Sequence, residues 1–174
     1  QLKTITLGGA VTGLGIESTS FRSGLPHESV LEMDILTGSG DIVTAAPDNE
    51  HSDLFDAFPN SYGSLGYATR LRIKLEKVPA YAALRHVRMA DAASAVKTIE
   101  VIADTGEWEG LRVDGLDGTA FSPDEIYLTL AHFSNDVTQR SSDYTGQQIY
   151  YKSIQTRETD AMTTEQYTWR WATA

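Results

Sequence analysis

The sequence predicts an α+β protein built on antiparallel or mixed sheets, and three observations carry that expectation. Leu71, Ile73 and Leu75 alternate with Arg70, Arg72, Lys74 and Glu76, a period of two with one basic face. Val30–Leu36 and Ile42–Val43 are two apolar runs broken by "TGSGD", the pattern of a hairpin with a glycine loop. Residues 80–134 read in the order strand, helix, strand, strand, which is most of a split β-α-β, ferredoxin-like layer.

Taken in chain order, "QLKTITL" reads as a short strand running into a glycine-rich passage, Thr6–Val30, that reads as loop. After the hairpin, Leu54, Phe55 and Phe58 of "HSDLFDAF" share one helical face. Ser52 or Asn49 is the candidate N-cap and Pro59 the stop. "LRHVRM" reads as a strand. "DAASAVKTIEVIADTG" has helical spacing through Ala92 or Ala93, Val96, Ile99 and Ala103, with Asp91 as cap and Gly106 at the C-terminal turn. "GLRVDGLDGTAF" and "DEIYLTLAHFS" are two strands, and "QQIYYKSIQTRE" reads as another. Residues 80–134 alone are short of at least one helix and one strand of the full layer. Trp169 and Trp171 near the end are large rings that need a packing partner. The chain opens without Met and reads as the middle of something longer.

Composition sets limits. The net charge of -10 argues against a general nucleic-acid surface, although Arg70, Arg72 and Lys74 could form a local basic patch. With no cysteine there is no disulfide, thiolate metal site or cysteinyl link, which fits a reducing cytoplasm. No apolar run approaches the length of a membrane span.

Gly8, Gly9, Gly13 and Gly15 invite a dinucleotide fingerprint, but they run into "IESTSFRSGLPHESV", which lacks a helical apolar stripe, so a Rossmann turn is rejected. No Gly-Lys-Ser/Thr is present, so neither is a P-loop. A bare loop can still approach a phosphate or ring closely, with Ser18, Thr19 and Ser20 supplying hydroxyls. Gly63 and Gly66, just before the clearest strand, form a second such cluster. His132 in its strand reads as a satisfied structural residue. Tyr150, Tyr151, Lys152 and Glu17 are weak catalytic candidates, with sheet packing or a solvated loop as the plain alternatives. Asp114 and Asp117 read as turn residues beside a glycine, not as metal ligands.

The ordered set "GGAV", "EMDILTGSGDIVTA", "SDLFDAF" and "GSLGYATRLRIKL" resembles the second half of the FAD-binding domain of the vanillyl-alcohol oxidase type of flavoproteins (PCMH-type FAD-binding). The "GIES-S" and "FP-S-G-LG" variants and "YYKSIQTRET" look most like the sterol Δ24-reductase branch. Ser39-Gly40-Asp41 replaces the usual Asp-Gly turn, and Phe58 to Tyr62 replaces a leucine-arginine-glycine passage.

The resemblance implies residues 1–79 as the second FAD-binding subdomain and 80–174 as part of a ferredoxin-like substrate-cap domain. It implies an enzyme in the full-length protein and a fragment inactive by itself. Hydride would pass between an alcohol or alkene, sterol or lipid in character, and the flavin. The FAD would be non-covalent, since no attachment motif surrounds His27, His51, His86 or His132. Cofactor contacts fall by position on Leu7, Gly8, Gly9, Gly13, Gly15, Glu17, Ser18 and Ser20, with Tyr67 and Ala68 at the adenine end. The partners implied are a small-molecule substrate and the missing upstream FAD-binding half. A lipid substrate is compatible with a cytoplasmic protein that associates with a membrane surface. The rival reading is a flavin-free binding or scaffold module that keeps the fold.

Overall fold

The computed structural model describes residues 3–144 and 149–172. It divides into two compact units. One is Thr4–Glu76, and the other comprises the described residues from Lys77 onward together with Lys3.

In the first unit, a three-stranded antiparallel sheet has the order β2-β1-β3, with β1 at Val30–Leu36, β2 at Ile42–Ala45 and β3 at Tyr67–Ile73. Period-two patterning turns Met33 and Ile35 inward, where they join Val11, Val30, Ala45 and Phe58 in a buried core. The opposite face carries Glu32, Asp34 and Arg70. Gly66 enters β3 at φ +129°, where a side chain would put Cβ 2.3 Å from the Leu36 carbonyl oxygen. The close backbone approach therefore requires glycine.

The opening stretch departs from expectation. Leu7–Thr12 is a helix, α1, not the end of a strand, while Gln1 and Leu2 lie outside the described residues. Two glycines give it poor intrinsic propensity. Thr6 compensates by accepting the Gly9 amide at 3.0 Å through Oγ1, and Val11 anchors the helix in the core. Ser20–Ser23 forms a further helical turn, α2, and Pro26–Ser29 a 3-10 turn, so the passage is less loop-like than its composition predicts. Helix α3, Ser52–Ala57, lies where expected, but neither candidate cap serves it. His51 holds the N-cap position without a side-chain bond. Asn49 instead braces the preceding turn, accepting from the Ala46 and His51 amides and donating to the Thr44 carbonyl. Leu75 lies past the end of β3 and is exposed.

The second unit has β4 at Tyr81–Met89, α4 at Ala92–Thr105 and a small hairpin of β5, Glu107–Trp108, and β6, Leu111–Arg112. It continues with β7 at Gly115–Ser122, β8 at Glu125–Ser134, α5 at Tyr150–Thr156, β9 at Thr159–Thr163 and α6 at Thr164–Trp169. The four-stranded sheet has the order β7-β8-β4-β9, antiparallel throughout. That is the strand order of the split β-α-β layer. The helix and strand that residues 80–134 lack follow further along the chain as α5 and β9.

The segment read as a strand at "QQIYYKSIQTRE" is helix α5, with Gln147 and Gln148 outside the described residues. Adjacent aromatics favour a strand on propensity. Tertiary burial decides otherwise, because Tyr150, Ser153 and Ile154 form one buried helical face. Tyr150 packs on Tyr144 and Trp171, with ring centroids 5.4 and 4.7 Å apart, which gives Trp171 its partner. Lys3 Nζ lies 5.5 Å from the Trp169 ring.

Both ends of α4 follow the sequence. Asp91 accepts the Ser94 amide at 2.7 Å and Gly106 closes the helix at φ +71°. Its orientation does not. Ala95, Thr98 and Ile102 are buried, whereas Val96 and Ile99 of the expected stripe are 54% and 39% exposed.

Candidate functional site

The first unit holds a cleft of about 270 Å³ lined by Thr6, Gly8, Gly9, Thr12, Tyr62, Gly63, Gly66, Tyr67 and Ala68. Helix α1 delivers the first glycine cluster and the approach to β3 delivers the second. Gly8 lies so near β3 that an added Cβ would sit 3.6 Å from the Ala68 carbonyl oxygen. A turn from Tyr62 to Gly66 is tied to α1 by the Tyr62 amide, which donates to the Thr12 carbonyl at 3.1 Å. Tyr62 and Tyr67 are 77% and 71% exposed, offering flat aromatic faces at the cleft. No lining side chain is charged.

Of the residues singled out in the sequence, Gly8, Gly9, Tyr67 and Ala68 line this cleft. Leu7 opens α1 and is partly exposed. Gly13 caps α1, its amide bonded to the Gly9 carbonyl, and the Gly15 amide reaches back to Ala10. Ser20 Oγ accepts the Glu17 amide at 2.9 Å, a local turn that includes Ser18. Gly13, Gly15, Glu17, Ser18 and Ser20 are not among the residues lining the cleft. Thr6, Thr12 and Tyr62 are cleft residues that sequence reasoning missed. The signal for Thr6 was available, since a threonine three residues before a helical glycine is a cap pattern.

On the opposite face of the same sheet, Arg70 Nε donates to Asp34 Oδ2 at 2.6 Å and its Nη2 to Glu32 Oε1 at 2.7 Å. Those hydrogen bonds hold both carboxyls below their ordinary range. Arg72 also pairs with Glu32, so the expected basic patch is largely neutralised.

In the second unit, Tyr150 is a core residue, its hydroxyl pushed upward in pKa by burial. Tyr151 is exposed, with Lys152 Nζ 5.7 Å from its ring. Asp114 sits at a bend just before β7, as a turn residue should, whereas Asp117 does not. Asp114 is buried and accepts from Arg112 at 2.9 Å, the His132 ring at 3.1 Å and the Phe133 amide at 2.8 Å. Asp117 lies in β7 and pairs with Arg170. Among the described residues no group of three His, Asp or Glu could hold a metal, and no helix is long and apolar enough to cross a membrane.

This architecture has counterparts. The chain is similar to Delta(24)-sterol reductase of Arabidopsis thaliana, 32% identical over 137 residues, covering 78% of this chain and 24% of that protein. It is similar to the same reductase of Pisum sativum, 38% identical over 86 residues, covering 49% of this chain and 15% of that protein. Cytokinin dehydrogenase 3 of Arabidopsis thaliana is 45% identical over 75 residues, covering 43% and 14%. A carbohydrate oxidase of Microdochium nivale shares the fold, with TM-score 0.62 at 15% identity over 96% of this chain and 36% of that one. No family model matches the chain. The chain thus spans a quarter or less of the curated relatives named. It is homologous to a segment of the FAD-linked oxidoreductases of the vanillyl-alcohol oxidase type.

Proposed function

We propose that the chain is the part of an FAD-dependent oxidoreductase that carries the second half of a non-covalent FAD site and a layer of the substrate cap. The observation that supports this reading most is the meeting of two glycine clusters, far apart in sequence, on one uncharged cleft flanked by exposed tyrosines. Such a surface suits part of a dinucleotide. Glycine backbone and the Thr6 and Thr12 hydroxyls admit close approach, and the tyrosine rings offer stacking. At about 270 Å³ the cleft is at the small end of ligand sites, enough for one portion of FAD. The rest of the cofactor would depend on an upstream half.

Bound FAD would supply hydride transfer at its N5, and the protein's share is orientation and electrostatics. In this reading Gly8, Gly9, Tyr67 and Ala68 bound the cofactor, while Leu7 at the start of α1 and Gly13, Gly15, Glu17, Ser18 and Ser20 in the passage after that helix run along it. The names of the sterol reductases favour an alkene- or alcohol-bearing lipid substrate, handled by a cytoplasmic protein or one that meets a membrane surface. Tyr151, Lys152 and Glu17 stay weak candidates for touching it.

The test is a visible absorption spectrum of the full-length parent protein and of its Gly8→Val, Gly13→Val and Gly15→Val variants. We expect a flavin spectrum in the parent, FAD released on denaturation, and reduced FAD in the variants. A parent that stays colourless after FAD is added would refute the reading and favour a flavin-free scaffold. Full FAD content in all three variants would refute the assignment of these residues.

A further inference from the structure

The turn beside the cleft of the first unit carries a residue that its backbone does not favour. Tyr62 adopts φ +49°, in the left-handed region that is strained for a bulky side chain. Asn60 at φ +61° and Gly63 at φ +81° share that region, and asparagine and glycine are the residue types that suit it. Glycine at position 62 would remove the strain. The tyrosine ring adds little to the core, being 77% exposed. Among the described residues its hydroxyl makes no hydrogen bond and its ring stacks on no other ring. Strain kept without packing points to a ligand contact.

The backbone under this ring is pinned. The Tyr62 amide donates to the Thr12 carbonyl at 3.1 Å. Ser64 donates to the Ser61 carbonyl through its amide at 2.9 Å and its Oγ at 2.7 Å. Tyr67 lines the same cleft, close enough to Gly63 that an added Cβ there would lie 3.9 Å from Tyr67 Cε1. Two exposed aromatic side chains therefore border one space of about 270 Å³.

Donors that a phosphate would use are already bonded within the protein. The Gly9 amide donates to Thr6 Oγ1 at 3.0 Å and the Gly66 amide to the Gly63 carbonyl at 3.3 Å. Thr12 Oγ1 donates to the Gly8 carbonyl at 3.0 Å. No lining side chain is charged. A diphosphate there would find few free N–H groups and no cation, whereas a flat ring needs only a face to stack on.

We propose that Tyr62 is a stacking residue, and that its cleft takes one planar ring system of the flavin dinucleotide, adenine or isoalloxazine, with the diphosphate outside. This rests on the flavin reading and adds to it a side chain that belongs to neither glycine cluster. The experiment measures FAD and FMN dissociation constants for the full-length parent apoprotein and its Tyr62→Ala, Tyr62→Phe and Tyr62→Gly variants by flavin fluorescence, with the Tm of each apoprotein alongside. Tyr62→Ala and Tyr62→Gly should weaken FAD by about tenfold. Tyr62→Phe should bind as the parent does, because the hydroxyl has no partner to lose. Tyr62→Gly should melt no lower than the parent, since glycine relieves the left-handed strain. A residue that only shaped the turn would move affinity and Tm together. FMN lacks adenine, so FMN weakened with FAD identifies the stacked ring as isoalloxazine, and FMN unchanged identifies it as adenine. The stacking role is overturned, with the flavin reading left standing, if Tyr62→Ala holds FAD as tightly as the parent, if Tyr62→Phe is as weak as Tyr62→Ala, or if the Tyr62→Gly loss is matched by a fall in Tm. A parent that binds no FAD overturns both.

Discussion

The two units organise polarity in opposite ways. In the first, charge stays on the outer face of the sheet, in the Arg70, Glu32 and Asp34 group, and the core of Met33, Ile35 and Phe58 is wholly apolar. The cleft is made of backbone and small side chains. In the second, carboxylates go inside. Asp160 is buried and accepts from Ser142 Oγ at 2.6 Å, Tyr144 Oη at 2.5 Å and Arg157 at 3.2 Å. Asp114 is buried as well, and the half-buried Asp117 pairs with the buried Arg170. A bare cleft suits a ligand that brings its own charge, whereas buried carboxylates fix donors in place around a polar interior.

The comparison can be broken most directly through the apolar core. Phe58→Ala should cost about 3–5 kcal/mol in the first unit. Hydrogen exchange should rise across β1 and β3 while β4 and β8 keep their protection. Equal loss in both units would show that their cores are not separate. Asp160→Ala should cost about 3 kcal/mol in the second unit, because Ser142 and Tyr144 lose their acceptor and Arg157 its partner. A cost near zero there would mean that the buried carboxylate is no structural centre.

The third prediction concerns pH. Burial lowers the His86 pKa, with Asp160 and Asp117 opposing and Arg157 and Arg170 reinforcing that shift. The unfolded chain therefore takes up the proton first, at its ordinary value of about 6.5. Stability is full above that pH and falls as pH drops below it. Glu32 and Asp34 are shifted down as well, so their contribution is lost only in the lower carboxylate range. Urea unfolding between pH 7.5 and 5 should show the decline, and His86→Gln should flatten it. An unchanged slope in the variant would assign the decline to another group. The smallest effect belongs to Arg70→Ala, an exposed network whose loss should be slight and should vanish at high salt. A salt-insensitive loss would mean that the arginine acts by packing.

Much of the fold was written in local patterns. Alternation around Leu71 and Ile73, the broken run between Val30 and Val43, and the Asp91 and Gly106 ends of α4 all report short-range physics: side-chain direction, turn geometry and capping. The sequence by itself therefore determined the α+β class and the placing of the β1–β2 hairpin, β3, β4, α3, α4 and β8, but not the elements of the opening stretch or α5. It could not determine which face of α4 turns inward, since Val96 and Ile99 are as apolar as Ala95 and Ile102, and only packing against the sheet chooses. It could not show that Tyr150 belongs to a helix, because burial against Tyr144 and Trp171 outweighs the strand preference of its ring. Nor could it bring Thr6, Thr12 and Tyr62 beside Gly8, or bury His86 against Thr129. Those are long-range facts, decided by which elements meet once the apolar cores close, and the tertiary structure alone carries them.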